Sequence, residues 1–270
     1  MTQTILLGPL ALPAAFLLAL VAFLAARHAG MRLAGAASPE AERQLLRIAL
    51  LALLVARGAF VLQYLDDYAA APLRIVDIRD GGWTWAAGLA AGAAALGVLA
   101  WRRATLRKPL LAAAATGALV WGAGALGLAA TQDPVPRMPQ LALRALDGSV
   151  VELSAFSGKP TVVNLWATWC GPCRREMPVL QQAQAARPDV QFVFLNQGEP
   201  ADKVQAYLAA SGLALRNVLL DAHGEAGATL GHKALPATLF FDARGRLVDT
   251  RVGELSPASL RGRLEAISGP

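Results

Sequence analysis

Cysteine is almost absent from this chain. Among 270 residues there are two, Cys170 and Cys173, three positions apart. A disulfide-built scaffold needs more bridges, so the pair reads as redox-active rather than structural. Histidine is nearly as scarce, with none between residues 29 and 222. A zinc site using the two thiols would need two further ligands. His223 and His232, nine apart, lack ligand spacing, so neither metal nor cofactor is expected. Charge is thin as well: 16% of residues are charged and 55% hydrophobic, where a soluble domain carries about a quarter charged. Part of the chain therefore belongs in a lipid bilayer. The formal net charge is +6, but no basic face with interleaved aromatics accompanies it, which argues against nucleic acid as a partner.

What is present divides into two halves. Residues 1–132 hold four apolar runs, read as about four transmembrane helices: Ile5 to Ala26, Leu45 to Leu65, Trp83 to Trp101 and Pro109 to Ala130. Pro9 and Pro13 interrupt the first run. No Lys or Arg precedes it and it exceeds a signal-peptide core, so it reads as a retained span. The third and fourth runs are rich in Gly and Ala, which suits close helix contact in lipid. Arg27, Arg32 and Arg43 follow the first run, and Arg102, Arg103, Arg107 and Lys108 follow the third. The stretch between the second and third instead holds Asp66, Asp67, Asp77 and Asp80 against Arg74 and Arg79. The positive-inside rule places the first and third loops in the cytoplasm and both termini outside. Arg57, inside an apolar run, is either a functional charge or one that snorkels or pairs with Asp66 or Asp67.

Residues 133–139 form a stiff linker, Asp133-Pro134-Val135-Pro136-Arg137-Met138-Pro139, and a second domain follows over 140–270. Its apolar runs predict a hairpin of Leu141–Arg144 and Val150–Leu153 about Asp147-Gly148, then a buried strand Val162–Trp166. A helix over Pro172–Ala186, a strand Val190–Leu195 and a helix Ala201–Ala210 come next. Val218–Leu220 and a helix near Glu225–Leu230 precede a second hairpin, Ala237–Phe241 with Leu247–Val252, and a closing helix over 257–267.

The chemistry sits in Val162-Val163-Asn164-Leu165-Trp166-Ala167-Thr168-Trp169-Cys170-Gly171-Pro172-Cys173-Arg174-Arg175-Glu176-Met177-Pro178. Two thiols stand at a strand-to-helix junction, where unpaired N–H groups and the positive end of the helix dipole favour a thiolate. Gly171-Pro172 suits a helix start, since Pro there forfeits no needed N–H. Cys170, nearer the helix N-terminus, is expected to be the more exposed, attacking thiol. Cys173, one turn in, is expected to resolve the mixed disulfide. Glu176 lies three residues further on the same face; it is either a partly buried acid that takes the thiol proton or a solvated first-turn Glu.

This stretch matches the thioredoxin Trp-Cys-Gly-Pro-Cys core, and its Arg-Arg-Glu-Met-Pro continuation resembles the TlpA/ResA-type membrane-bound disulfide reductases of bacteria. The resemblance covers about 130 residues and implies an α/β thioredoxin-like fold, a central mixed sheet flanked by helices with an extra N-terminal hairpin. It implies that Pro236 is a cis-proline opposite the dithiol, against an ordinary trans Pro at a strand start, and that Glu176 serves as the proton acceptor. Asn164 stands where thioredoxin has a buried acid, so that shuttle is missing and Glu176 is the nearby acid. Trp169 reads as a lid over the thiols and Trp166 as core, while Gln197-Gly198-Glu199 reads as a loop without an assigned role.

A second resemblance covers about 60 residues of the apolar half. Ala56-Arg57-Gly58-Ala59-Phe60-Val61-Leu62-Gln63-Tyr64, Asp80-Gly81-Gly82-Trp83-Thr84-Trp85 and Gly88 are similar to a segment of prolipoprotein diacylglyceryl transferase. The functional His of that family is replaced here by Ala86 and Ala87, which implies a shared scaffold without the transfer chemistry.

Together these readings lead to a membrane-anchored thiol–disulfide oxidoreductase, a protein-disulfide reductase working through Cys170 and Cys173, in the bacterial inner membrane with its C-terminal domain in the periplasm. Protein thiols and disulfides, of the cytochrome c or metalloprotein maturation type, are its expected substrates, and a membrane electron-donor protein its expected partner. A thiol oxidase or isomerase, or a lipid-handling protein whose thioredoxin-like domain only docks partners, are the alternatives.

Overall fold

The computed structural model describes residues 4–7, 10–69, 71–130, 137–232 and 234–268. It forms two compact units, residues 1–72 with 82–132 and residues 73–81 with 133–270.

In the first unit a short hairpin, β1 (Thr4–Leu7) and β2 (Leu10–Pro13), precedes the helices. α1 (Ala14–Ala34) thus begins nine residues later than the apolar run that predicted it. Pro9 and Pro13 account for the shift, because an interior proline removes a helical hydrogen bond and clashes with the preceding turn. A 3-10 turn, Gly35–Ala37, leads to α2 (Ser38–Gln63), followed by the short α3 (Leu65–Ala69). α4 (Trp85–Arg102) and α5 (Ala104–Ala130) complete the unit. Only Arg103 separates these two, so Arg107, Lys108 and Pro109, expected in or at the edge of a loop, lie in the first turns of α5. Small residues set the helix spacing. A Cβ at Gly88 would stand 2.5 Å from the Ala52 carbonyl oxygen, and one at Gly30 3.2 Å from the Ala113 Cβ. Three helical stretches among the described residues are long and apolar enough to cross a membrane, 14–63, 85–102 and 104–130, the first being broken by the 3-10 turn. Arg57 is buried; its Nη1 donates to the Gly82 carbonyl at 2.9 Å and its guanidinium lies 5.2 Å from the Tyr68 ring centre.

The second unit is built on a seven-stranded mixed sheet. Its strands are β3 (Ala142–Ala145), β4 (Val150–Glu152), β5 (Thr161–Trp166), β6 (Gln191–Gln197), β7 (Val218–Asp221), β8 (Ala237–Phe241) and β9 (Leu247–Val252), in spatial order β4-β3-β7-β6-β5-β8-β9. β5, β6 and β7 are parallel, whereas β3, β8 and β9 each run antiparallel to a neighbour. β5 and β8 are buried at every position, as mostly apolar strands covered on both faces are, and their polar side chains, Thr161, Asn164 and Thr238, are hydrogen-bonded. Both predicted hairpins form. In the first, the Ser149 N–H and hydroxyl bond to Asp147 Oδ1 and Gly148 takes φ +85°.

Strand alternation sorts the core into two layers. Val162, Trp166, Phe192, Phe194 and Phe240 face α6 (Gly171–Ala186), α7 (Ala201–Ala210) and α9 (Pro257–Ser268). Val163, Leu165, Val193, Leu195, Leu239 and Phe241 face the other side, covered by a 3-10 turn at Leu153–Phe156 and by α8 (Glu225–Thr229). Alternation therefore puts Asn164 and Thr238, paired in register across β5 and β8, on the α6 side. Of the predicted linker, residues 133–136 lie outside the described residues. Arg137 forms a bridge with Arg246, and the Met138 N–H donates to the Gly245 carbonyl at 2.8 Å.

Candidate active site

β5 ends at Trp166, and a tight turn closed by the Cys170 N–H on the Ala167 carbonyl (3.2 Å) delivers the chain to α6. Cys170 is the N-cap of that helix. Its Sγ accepts the Cys173 N–H at 3.2 Å, so the sulfur occupies the place where a Ser or Asp oxygen commonly satisfies a first-turn donor. Gly171 and Pro172 fill the first helical positions. Cys170 and Cys173 are joined as a disulfide, with Cα atoms 5.2 Å apart. Cys170 is 5% exposed and Cys173 fully buried, so Cys170 is the more accessible but is itself close to covered.

Glu176 is fully buried on the inner face of α6, which removes the solvated alternative. Its Oε1 accepts Asn164 Nδ2 at 2.8 Å and its Oε2 accepts the Leu255 N–H at 3.0 Å. The second Nδ2 hydrogen of Asn164 is used by Thr238 Oγ1 at 2.9 Å. Burial pushes the Glu176 carboxyl up to about 7, against the two hydrogen bonds, which favour the ionised form. Where the thioredoxin core would carry an acid on the strand, this chain thus has an amide tied directly to an acid on the helix.

The Leu235–Pro236 peptide bond is cis, and the Pro236 carbonyl accepts the Gly253 N–H at 2.9 Å. Leu235 packs against the same core cluster as both cysteines. Trp169, expected as a lid, is 67% exposed and lines a cleft of about 520 Å³ with Gln197, His223, His232 and Leu235. His232 is buried, and burial lowers its pKa from the usual imidazole value. The site's elements are Cys170 at the N-cap and Cys173 in the first turn of α6, Glu176 buried three residues further along the same helix, and Trp169 and Leu235 in the wall of one cleft.

Some of the site's partners leave no mark in the sequence pattern. Glu199, just beyond β6, is buried and bonded to Thr168, two residues before Cys170. The Gln197-Gly198-Glu199 stretch was visible as a loop, but its partner lies 31 residues away and no periodicity connects them. Thr238 and Leu255, which complete the setting of Glu176, were equally silent.

Residues 131–264 match the Redoxin family. The chain is 28% identical over 131 residues to the thiol-disulfide oxidoreductase ResA of Geobacillus thermodenitrificans (strain NG80-2), covering 48% of this chain and 75% of that protein. It is 30% identical over 131 residues to the thioredoxin-like protein YneN of Bacillus subtilis (strain 168), covering 47% of this chain and 76% of that one. Among solved structures, a putative thiol:disulfide interchange protein DsbE from Chlorobium tepidum is 28% identical, covering 52% of this chain and all of that one, with a TM-score of 0.47. With its C-x-x-C disulfide at the start of α6 and its mixed sheet, the chain belongs, through its C-terminal half, to the thioredoxin-like thiol–disulfide oxidoreductases of the ResA/TlpA type.

Proposed function

We propose that this protein is a membrane-anchored reductase of protein disulfides, acting in the bacterial periplasm through the Cys170–Cys173 pair. The observation that carries the reading is a disulfide-bonded cysteine pair at a helix N-cap with a fully buried carboxyl, pushed up to about 7 by its burial, one turn further on. In the reducing cycle the Cys170 thiolate attacks a substrate disulfide, forming a mixed disulfide and releasing one substrate thiolate. Cys173, its proton taken by Glu176, then attacks Cys170 Sγ and releases the second substrate thiol. The substrate gains two electrons and the Cys170–Cys173 disulfide forms. A membrane electron-donor protein returns it to the dithiol. The anchor can relay no electrons by thiol exchange, since both cysteines lie in the motif.

The cleft walled by Trp169 and Leu235 takes the substrate chain, with Pro236 beside the disulfide; Gly171 and Pro172 shape the helix start and Asn164 orients Glu176. Residues 1–132 serve as a multi-pass anchor, supported by long apolar helices whose Leu54, Leu62, Leu89, Leu119 and Leu126 face outward. Residues 133–139 connect the anchor to the periplasmic domain over 140–270, Arg137 and Met138 at the end of that connection being paired with Arg246 and Gly245. Apocytochrome c and copper-site thiols are the substrate class that the ResA/TlpA likeness points to.

The test is the reduction potential of the full-length chain, equilibrated against glutathione or dithiothreitol and read by thiol alkylation. A value near about −270 mV, as in thioredoxin, is expected, whereas one near about −120 mV would reverse the direction and make the protein an oxidant. Cys170→Ser should abolish exchange altogether.

A further inference from the structure

Glu199 is one of the buried charged residues, with Arg57, Asp80 and Asp221, that the cycle above does not use. Glu199 stands in the turn after β6, where Gly198 adopts φ +73° and donates its N–H to the Asp221 carbonyl at 2.9 Å. Both carboxylate oxygens are fully engaged. Oε2 accepts the Thr168 N–H at 2.7 Å and Asn196 Nδ2 at 2.9 Å. Oε1 accepts the Thr168 hydroxyl at 2.6 Å and faces Lys203 Nζ at 2.8 Å. One side chain thus holds both the main chain and the side chain of the residue at the centre of the Ala167–Cys170 turn.

That turn has two products. It sets Cys170 at the N-cap, and it projects Trp169 outward, where two-thirds of the side chain meets solvent. Cys170 has a second restraint in the first turn of α6, through the Cys173 N–H. An indole this exposed has little packing to hold it, so its direction is inherited from the backbone that Glu199 fixes. An exposed aromatic in the wall of a cleft beside a reactive disulfide is the kind of group that carries binding energy for a polypeptide.

We propose that Glu199 is a positioning residue for protein-disulfide exchange: by clamping Thr168 it keeps Trp169 in place as the wall of the substrate cleft, and so governs substrate binding rather than thiol chemistry. This rests on the assignment of that cleft to the substrate chain made above. The clamp depends on hydrogen-bond geometry more than on charge. A glutamine could accept the Thr168 N–H with its oxygen and donate its amide to the Thr168 hydroxyl, whereas an alanine could do neither.

The experiment follows the reduced full-length protein as it reduces a disulfide-closed Cys-x-x-Cys-His peptide. Single-turnover rates across peptide concentration, each reduced molecule being oxidised once to the Cys170–Cys173 disulfide, give the half-saturating concentration as KM and the limiting rate as kcat, and reduction of that disulfide by dithiothreitol, a reagent too small to need the cleft, is measured alongside. For Glu199→Ala the expected result is a KM raised about tenfold with kcat and the dithiothreitol rate within about twofold of wild type. Glu199→Gln is expected to recover most of the loss. An unchanged KM in Glu199→Ala overturns the proposal, as does an equal fall in the peptide and dithiothreitol rates. If Glu199→Ala does not fold, Thr168→Val, which keeps the N–H and loses the hydroxyl, should raise KM about threefold, and an unchanged KM there overturns it too. A wild-type protein that exchanges with dithiothreitol but never with the peptide would instead sink the substrate assignment beneath it.

Discussion

Two buried carboxylates serve the segment that carries the disulfide, Glu199 through its bonds to Thr168 and Glu176 from within α6, and the regions that hold them treat them oppositely. In the interior of α6, Glu176 has two donors, both neutral, and burial prevails, so its carboxyl rises to about 7. In the β6–α7 loop, burial alone would also raise Glu199. There Lys203, both polar groups of Thr168 and the Asn196 amide together outweigh it and bring the carboxyl down to about 2. One acid can exchange a proton near neutral pH, and the other is a fixed anion. Environments that drive two carboxyls apart assign them different tasks, and here the division is between moving a proton and holding a loop.

The comparison breaks most readily at Asn164. Asn164→Asp replaces the amide donor 2.8 Å from Glu176 with a second acid. Two buried carboxylates at that distance cannot both ionise, and the Thr238 hydroxyl loses a donor as well. At pH 8 the variant should lose about 3 kcal/mol of stability in urea unfolding of the oxidised chain. At pH 5, where both acids can be protonated and share hydrogen bonds, the loss should shrink by more than half. Equal stability at both pH values would mean that the pair does not feel its own charge.

Glu176→Gln sharpens the same contrast from the other side. Because the folded-state pKa is raised from 4.5 to about 7, the protonated form is the one the fold favours. The resulting stability is full below about pH 4.5 and is lost as pH rises through about 7. Wild type should therefore lose about 2–3 kcal/mol between pH 4 and pH 8 that the Gln variant retains. The same substitution should remove an inflection near pH 7 from the release of substrate by Cys173, slowing that step at least about tenfold. An inflection that survives in the variant would place the proton acceptor elsewhere.

How far these features were legible in the sequence follows from their range. The strands of the redox unit were readable because β5, β6 and β8 are short apolar runs bounded by turn residues. Glu176 was readable because three-residue spacing after Cys173 puts it on one face of a helix. The α1 start was misplaced because an apolar run with two prolines has the hydropathy of a helix without its hydrogen bonds. Asp80 was readable only as one acid in a loop between helices. Its grouping with the redox unit, where the Ser256 hydroxyl donates to Oδ2 at 3.3 Å, joins positions 176 residues apart. Glu199 failed for the same reason, since a loop-to-loop bond leaves no period.

The smallest effect tests the anion's own region. Lys203 is 54% exposed, so its bond to Glu199 is partly screened by solvent, whereas the three donations from Thr168 and Asn196 are buried. Lys203→Met should therefore cost less than about 1 kcal/mol at pH 7. A carboxyl held below its usual range contributes stability that is present above about 4.5 and lost as pH falls through about 2. Removing Lys203 narrows that window from below, so acid unfolding of the variant should begin at a slightly higher pH, while between pH 5 and 8 its small loss should stay constant with pH. A loss at pH 7 as large as that of Glu199→Ala would show that the charge of Lys203, and not the grip on Thr168, is what the loop relies on.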